Sequence, residues 1–421
     1  MRFSRPRGTQ DIIPPEVDTW RAVERVFEEI LERYGYRWIR TPIIESTDLF
    51  VRAVGEGSDI VSKEMYTFTD RGGRSLTLRP ENTASVIRAY LENGMHRWGG
   101  IQRLCYVGPM FRYDRPQAGR YRQFHQVGAE AVGSVNPALD VEMIQLVVEA
   151  FTRLGYSGVD VRLNSLGAAR SRGPYRAILL EALEGLASRI DGESMERYRK
   201  NPMRVFDSKE HGEALKRELP AISAHLAAED AEHFARVKDL LASAGVRFTE
   251  DPYLVRGLDY YTRTVFEVYY GSQGAQSALC GGGRYDDLVE ECGGPPTPAI
   301  GFSAGLERIV SALATEVEGA AGTAPGIRYY VVCAAQGAEG RALGVGSLLR
   351  ARGSAEVDLS ERSRKKQLQV AEKRGARIAV IVDAGAVALT VRDLVSRREA
   401  EVSEAALPQW LDDNEEKEGG A

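Results

Sequence analysis

Two runs of alternating side chains, residues 104–113 and 123–132, constrain the fold more than any other part of the sequence. Both have the two-residue period of β-strands, and the polar segment between them contains proline and glycine, so they predict an antiparallel hairpin with a long connection. Period two places an aromatic ring, an amide and a carboxylate on one face of the second strand, close to an arginine that ends the first. These side chains are Phe124, Gln126, Glu130 and Arg112. They indicate a binding face, although an exposed edge hairpin rich in arginine is a competing interpretation.

Composition limits the classes of protein that are possible. The chain has 421 residues, of which 43% are hydrophobic, and this length suits two or three domains. A net charge of -5 excludes general coating of nucleic acid but permits local basic patches. The four cysteines have no CxxC spacing and lie far from the five histidines, so we expect no structural metal. Because the N-terminus has no apolar signal segment and no apolar run is long enough for a membrane span, we expect a cytoplasmic protein.

The N-terminal segment predicts a helix followed by an edge strand. Apolar residues from Val17 to Tyr34 recur at steps of three and four, and Gly35 ends this amphipathic helix. The run over residues 36–44 then predicts a strand. Because Pro42 donates no hydrogen bond to a neighbouring strand, this strand belongs at a sheet edge.

Residues 76–83, LTLRPENT, predict a short strand that runs into a helix over residues 84–93. Asn82 or Thr83 is the expected cap of that helix. Glu81 stands at the end of the strand beside a hydroxyl group, where a carboxylate is suited to hold an ammonium group.

Residues 166–246 contain charged residues, alanine and leucine at helical spacing, with few strand signals, and we interpret them as a helical insertion. Three of the five histidines lie here on polar patterns. They are His211, His225 and His233, and we expect them at the surface because no metal-ligand spacing gathers them.

The next segments carry further candidate site residues. Residues 253–270 end in strand alternation, and before the strand Arg256 supplies a charged fork and the Tyr260-Tyr261 pair supplies hydroxyl groups. Residues 280–286, CGGGRYD, lack the lysine of a P-loop, so we interpret them as closely packed backbone beside a substrate.

The C-terminal part begins with a strand and helix over residues 299–313 and a linker at 322–326. Strands and helices then alternate over residues 328–382, which predicts a small α/β domain. Its basic cluster between Arg362 and Arg377 is either a solvated helix face or a nucleic-acid contact. The acidic tail, residues 412–421, is expected to be disordered.

Several of these segments together resemble the histidyl-tRNA synthetase family of class II aminoacyl-tRNA synthetases. The pair FR and RYRQFHQVGAE resembles motif 2, AIGFSAGLERIV resembles motif 3, and the N-terminal helix and strand resemble motif 1. LVRGLDYYTRTVFE and GGGRYD resemble the histidine-specific signatures, and RSRKKQLQVAEKRGA resembles a segment of the anticodon-binding domain. The resemblance covers nearly the whole chain, in family order.

The resemblance implies an α+β catalytic domain with an antiparallel sheet over residues 1–325, a helical insertion at 166–246, and a C-terminal α/β anticodon-binding domain at 326–421. It also implies a homodimer that acts as a histidine–tRNA ligase. Such an enzyme activates L-histidine with ATP, bound with Mg²⁺, and transfers histidine to the 3′ end of tRNA(His). The alternative is the non-catalytic, histidine-binding regulatory subunit of ATP phosphoribosyltransferase, which typically lacks the anticodon-binding domain.

Site residues follow from the resemblance position by position. The implied catalytic residues are Arg112 and Arg256. The implied histidine-binding residues are Glu81, Thr83, Arg112, Gln126, Glu130, Arg256, Tyr260, Tyr261 and Tyr285. The implied ATP-binding residues are Arg112, Arg120, Phe124 and Arg308. Contacts to the acceptor end of tRNA are implied for Arg115 and Gln117.

Overall fold

The computed structural model describes residues 3–55, 58–114, 120–208, 212–270, 278–316 and 326–415. Arg115, Gln117 and His211, for which the sequence predicted positions or roles, lie outside these ranges. The chain divides into two units, Met1–Gly322 and Thr323–Ala421. No helix in the described ranges is long and apolar enough to cross a lipid bilayer.

The strands of the first unit form a large sheet and a small one. In chain order they are β1 (Arg37–Trp38), β2 (Ile44–Ser46), β3 (Tyr66–Thr69), β4 (Ser75–Leu78), β5 (Gln102–Phe111), β6 (Gln123–Val132), β7 (Asp160–Ser165), β8 (Thr249–Glu250), β9 (Thr262–Tyr269), β10 (Ala278–Arg284) and β11 (Ala299–Gly305). The large sheet has the order β1-β5-β6-β11-β10-β9-β7-β8, and the small one β2-β4-β3. The six inner strands of the large sheet, β5-β6-β11-β10-β9-β7, pair antiparallel with one another, as predicted. The edge strands β1 and β8 pair parallel with their neighbours.

The helices of the first unit are α1 (Glu16–Arg33), α2 (Thr47–Val54), α3 (Thr83–Glu92), α4 (Pro137–Arg153), α5 (Gly173–Gly185), α6 (Gly192–Lys200), α7 (Arg204–Asp207), α8 (Glu213–Arg217), α9 (Ala228–Ser243), α10 (Leu288–Glu291) and α11 (Leu306–Glu316). Single turns of other helical types lie at Ile60–Glu64, Met95–Arg97, Ala169–Ser171, Ala187–Arg189 and Ile222–His225. The helices predicted from Val17 onward and over residues 84–93 are therefore confirmed.

One face of the large sheet is covered by helices, and the other is left for the site. Val127, Ala129 and Ala131 of β6 belong to the core cluster that also contains buried residues of α1, α4, α9 and α11. Because side chains alternate along a strand, Gln126 and Glu130 then lie on the opposite face. The two-residue period thus places them as the sequence predicted.

The strand predicted over residues 36–44 is divided in the structure. Only Arg37–Trp38 joins the large sheet, at its edge beside β5, whereas Ile44–Ser46 joins the small sheet. The break falls around Pro42, which has no N–H group to continue a ladder. The edge position was predicted correctly, but one continuous strand was wrong.

The insertion is helical, as predicted, but its last helix packs into the main core. Phe234, Val237 and Leu241 of α9 belong to the same buried cluster as the sheet and α4. His233 lies on the same helix, is buried, and its Nε2 is 3.3 Å from Asp140. The expectation that His233 is a surface residue was therefore wrong, because a carboxylate on α4 gives a buried ring its partner. His225 is exposed, as expected.

A group of buried charges ties α4 and α9 to the sheet. Arg284 of β10 and Asp140 of α4 are both fully buried, and Nε of Arg284 donates to Asp140 at 2.9 Å. Arg284 also donates to Asp286 at 2.8 Å. The Arg284 guanidinium holds the pKa of Asp140 below its usual range, against the effect of burial. A buried ion pair of this kind fixes geometry, because either charge left alone is costly.

The second unit is a five-stranded sheet of order β13-β12-β14-β15-β16. Its elements are β12 (Tyr329–Cys333), α12 (Glu339–Arg350), β13 (Ala355–Asp358), α13 (Arg364–Lys373), β14 (Ile378–Val382), β15 (Ala388–Asp393), β16 (Glu399–Ser403) and α14 (Leu407–Glu415). The first five were predicted, and β12 pairs parallel with both β13 and β14.

The start of the acidic tail is ordered, contrary to expectation. Residues 412–415 lie in α14, which buries Leu407 and Leu411, and Asp412 pairs with Arg352. The apolar residues just before the acidic run account for the helix, which covers the small core. The remainder of the predicted tail lies outside the described residues.

Replacing Asp140 by asparagine tests the buried charge group. Asp140→Asn leaves Arg284 without its fully buried partner, and we expect a loss of about 3 kcal/mol in the free energy of unfolding. Urea denaturation followed by tryptophan fluorescence measures it, because Trp20 is 3% exposed in the same core. The control is Glu29→Gln, which breaks an exposed pair with Arg153 and is expected to cost less than about 1 kcal/mol. Equal losses in the two variants would contradict the assignment.

Candidate active site

A cleft of about 580 Å³ opens over the uncovered face of the large sheet. Its walls come from the start of α3, strands β6, β10 and β11, the segment before β9, and the insertion. Ten of the twelve residues predicted to bind histidine or ATP line it. The ten are Glu81, Thr83, Arg112, Arg120, Phe124, Gln126, Arg256, Tyr260, Tyr261 and Arg308. The structure therefore brings together residues that are far apart in sequence.

Thr83 connects two buried carboxylates at the closed end of the cleft. Its amide N–H donates to Glu81 at 2.6 Å, and its hydroxyl donates to Glu130 at 2.7 Å. The amide of Ala84 also donates to Glu81, at 3.0 Å. Glu81, rather than Asn82 or Thr83, thus caps α3, and the predicted cap was wrong. Asn82 is unavailable because its Oδ1 accepts from Arg79 and Thr41.

Glu130 is not on the cleft surface but directly behind it. Besides Thr83, the hydroxyls of Tyr106 and Tyr285 donate to its carboxylate. Burial, with a smaller contribution from the charge of Glu81, raises the pKa of Glu130 to about 8 and outweighs the three hydroxyl donors. Such a carboxyl holds its proton near neutral pH and can exchange it with a basic ligand. Tyr285 lies in the same buried layer.

A glycine on the neighbouring strand makes room for Glu130. Gly301 of β11 is paired with Glu130 in the sheet, and a Cβ atom at this position would overlap the carboxylate. The predicted close packing of residues 280–286 has the same cause. Gly281 of β10 lies under the Arg256 guanidinium, where a Cβ atom would overlap it. This segment is a central strand rather than a loop.

Four guanidinium groups converge toward the open end of the cleft. Arg112 donates from Nε to the carbonyl of Pro80 at 2.8 Å, and its Cζ lies 5.3 Å from the centre of the Phe124 ring. Arg308 donates to the carbonyl of Ala278 at 2.9 Å. Burial lowers the pKa of Arg308, and the positive charges of Arg120, Arg112 and Arg256 lower it further. A cluster that repels itself in this way favours a ligand with several negative charges.

Arg256 is paired with a carboxylate that the sequence analysis did not single out. Its guanidinium donates to Glu267 of β9, and its Cζ lies 5.8 Å from the centre of the Tyr261 ring. The Nε atom is buried and has no acceptor among the described residues. The amide oxygen of Gln126 is likewise buried without a described donor. The Nε–H group of Arg256 can therefore donate to a ligand acceptor, and the amide oxygen of Gln126 can accept from a ligand donor.

The rings of Tyr260 and Tyr261 lie with centroids 4.7 Å apart, and Tyr285 is 5.6 Å from Tyr260. Tyr285 donates to Glu130 and the Tyr261 ring lies next to Arg256, so this row of rings runs from the acidic end of the cleft to the arginine cluster. The site thus has a polar, acidic closed end with hydroxyl groups and a cationic open end.

Other site residues were missed. Tyr106 was detectable, since it faces Gly128 across the hairpin and so shares the face of Glu130. Glu307 could not be predicted as a residue of the cleft, because its contact is with a distant strand: its carboxylate accepts a hydrogen bond from the His125 amide at 2.9 Å. Arg197, Arg204 and Asp207 reach the cleft from the insertion, and their sequence shows nothing of this. The described residues contain no group of three or more histidine, cysteine or acidic side chains that fits a metal ion.

Comparison with known proteins agrees with this geometry. The model of the family described as histidyl-tRNA synthetase matches residues 8–309, and that of the anticodon binding domain matches residues 329–414. The histidine–tRNA ligase of Natranaerobius thermophilus is 48% identical over 91% of each chain.

Two solved structures extend the comparison to the fold. The apo histidyl-tRNA synthetase of S. aureus is 34% identical, with a TM-score of 0.79 over 97% of this chain and 99% of the other. A Bacillus halodurans protein described as an ATP phosphoribosyltransferase regulatory subunit/histidyl-tRNA synthetase has a TM-score of 0.67 over 92% of this chain and 100% of its own. At 22% identity, it shows the fold alone. The predicted class II fold is confirmed, and the chain belongs to the histidyl-tRNA synthetase family.

Proposed function

We propose that the protein is a histidine–tRNA ligase, which activates L-histidine with ATP and transfers it to the 3′ end of tRNA(His). The observation that carries the proposal is that one cleft has an arginine cluster at one end and the Glu81–Thr83–Glu130 group at the other. Membership of the family supports the same activity. The regulatory-subunit alternative is disfavoured, because residues 329–414 match an anticodon binding domain.

In the first step, an oxygen of the histidine α-carboxylate attacks the α-phosphorus of ATP. The bond from the α-phosphorus to the bridging oxygen breaks, and pyrophosphate leaves. Both reactants are anions, so cations beside the α-phosphate reduce their repulsion most where charge accumulates in the transition state. We assign this role to Arg112, which follows β5, and to Arg256, which precedes β9, because both line the cleft. The buried Nε of Arg256, which has no described acceptor, supports a ligand oxygen there.

The nucleotide occupies the open end of the cleft. Phe124 supplies a ring for adenine, and Arg120 and Arg308 bind the distal phosphates. ATP enters as its magnesium complex, in which phosphate oxygens and water supply most of the ligands.

The closed end recognises the amino acid. Glu81 accepts hydrogen bonds from the α-ammonium group, assisted by the unpaired amide oxygen of Gln126 and the hydroxyl of Thr83. Glu130 pairs with one imidazole nitrogen by exchanging its longer hydrogen bond, from Tyr106, for one from the ligand. Tyr261 pairs with the other nitrogen, and Tyr260 and Tyr285 complete the wall. A site of buried polar groups rejects an analogue without them by a factor on the order of 10⁴.

Transfer to tRNA involves the remaining parts. Arg115 and Gln117 contact the acceptor end, and the basic cluster of α13 contacts the anticodon region. Catalysis then belongs to residues 1–325 with the insertion at 166–246, and anticodon binding to residues 326–421. The enzyme acts in the cytoplasm as a homodimer. Apolar side chains of the motif 1 region support an interface, since Trp38, Ile43 and Ile44 are 41%, 41% and 47% exposed.

Histidine-dependent exchange of pyrophosphate into ATP tests the proposal. We expect exchange with L-histidine and none with the other amino acids. Arg256→Ala is expected to slow exchange by a factor on the order of 10² or more, because it removes a positioned charge from the transition state. The control is Arg170→Ala, an exposed arginine of the insertion paired with Glu229, which should exchange at the normal rate. Histidine binding without exchange would exclude the ligase and favour the regulatory alternative.

The proton on Glu130 predicts a pH dependence of histidine binding. The pKa of Glu130 is about 8, and that of free imidazole is about 6.5, so between them the pair holds one proton. Below about pH 6.5 both Glu130 and the imidazole are protonated, and one proton must leave on binding. Above about pH 8 Glu130 is ionised and the imidazole is neutral, and one proton must be taken up on binding. We therefore expect affinity, measured by calorimetry, to fall on both sides, by up to about tenfold per pH unit.

Glu130→Gln separates this effect from titration of the α-amino group of histidine. The amide does not ionise, so the decrease that begins near pH 8 should disappear. A decrease caused by the α-amino group begins at higher pH and should persist. An unchanged profile in Glu130→Gln would contradict the assignment of Glu130 to the imidazole.

A further inference from the structure

Arg256 is carried by a segment that the sheet does not hold. Residues 255–261 lie in neither a helix nor a strand and precede β9. Residues of this segment line both the main cleft, of about 580 Å³, and a second cavity of about 350 Å³. Val255, Arg256 and Leu258 line both. A segment that forms a wall of two cavities and lies outside the sheet needs contacts from other elements to keep a fixed position.

The insertion supplies those contacts through Arg204, at the start of α7. One terminal nitrogen of Arg204 donates to the carbonyl of Gly257 at 3.3 Å, and the other donates to Asp259 at 2.7 Å. Arg204 is 8% exposed, whereas the Asp259 side chain is 36% exposed, so the contact lies at the boundary between the interior and solvent. Asn201 adds a longer contact to Asp259, at 3.4 Å.

Two further hydrogen bonds hold the same segment. The amide of Asp259 donates to the carbonyl of Val54, at the end of α2, at 3.2 Å. Arg172, at the start of α5, donates to the carbonyl of Tyr261. Arg204 differs from these partners because its two contacts fall on the turn immediately after Arg256.

We propose that Arg204 is a positioning residue for Arg256: by holding Gly257 and Asp259, it fixes the wall segment so that the Arg256 guanidinium meets the α-phosphate. The inference rests on the proposed function. Arg204 does not touch the reacting atoms in this role. A planar guanidinium suits it, because it donates in two fixed directions at once, which a lysine ammonium does not reproduce. A displacement of about 1 Å at a reacting group is enough to slow a reaction by about 10²-fold.

Single-turnover formation of histidyl-adenylate, with enzyme in excess over ATP, tests the proposal in a double-mutant cycle. Arg204→Met keeps an unbranched apolar stem at this position but removes both hydrogen bonds. We expect adenylate to form about 10- to 100-fold more slowly in this variant than in the unaltered protein. In an Arg256→Ala background, the same change should cost less than about twofold, because the group that it positions is absent. Equal costs in the two backgrounds would overturn the proposal.

Further variants separate positioning from folding. Arg189→Met breaks an exposed ion pair of the insertion, with Glu218, and should leave the rate unchanged. Arg204→Lys should recover only part of the rate. If Arg204→Met does not fold, Asp259→Ala removes the acceptor of the shorter of the two contacts, and a normal rate in that variant would overturn the proposal. No adenylate from the unaltered protein would instead overturn the proposed function itself.

Discussion

The hydrogen bonds of Thr83 fix the geometry on which recognition depends. Its amide holds Glu81 and its hydroxyl holds Glu130, so one residue sets the separation of two buried carboxylates. Burial raises the pKa of both, and the negative charge of Glu81 contributes to the raised pKa of Glu130. Two carboxyl groups in such a place favour a ligand that brings hydrogen-bond donors or positive charge to both. An amino acid with a basic side chain is such a ligand.

The remainder of the fold keeps this acidic end apart from the cationic end. The central strands carry both on one face, while apolar residues of the same strands pack under the helices on the other. Arg256 and Glu130 occupy space that Gly281 and Gly301 leave free. An α-carboxylate bound between the two ends lies next to the arginines that neutralise a phosphate. Binding of the amino acid at the acidic end thus also places its α-carboxylate for the reaction.

Local patterns were sufficient to predict much of this arrangement. Strand alternation placed Gln126 and Glu130 on one face, and motifs gathered Arg112, Arg256 and Arg308. Contacts between distant segments were not predictable, because neither partner signals the other. His233 was expected at the surface, but α9 brings it to Asp140. Nothing in the sequence linked Arg204 to Gly257. The sequence did not predict that Glu81 caps α3, because capping depends on the rotamer of the Glu81 side chain, which no sequence pattern specifies.

The most direct test of the account is calorimetric binding of two ligands to Glu81→Gln: L-histidine and imidazolelactate, which has a hydroxyl in place of the α-amino group. If Glu81 binds the ammonium group, the variant should lose about 10- to 100-fold in affinity for histidine and less than about threefold for imidazolelactate. Glu92→Gln, on the exposed side of α3, is the matched control and should bind both normally. Equal weakening of the two ligands in Glu81→Gln would contradict the account.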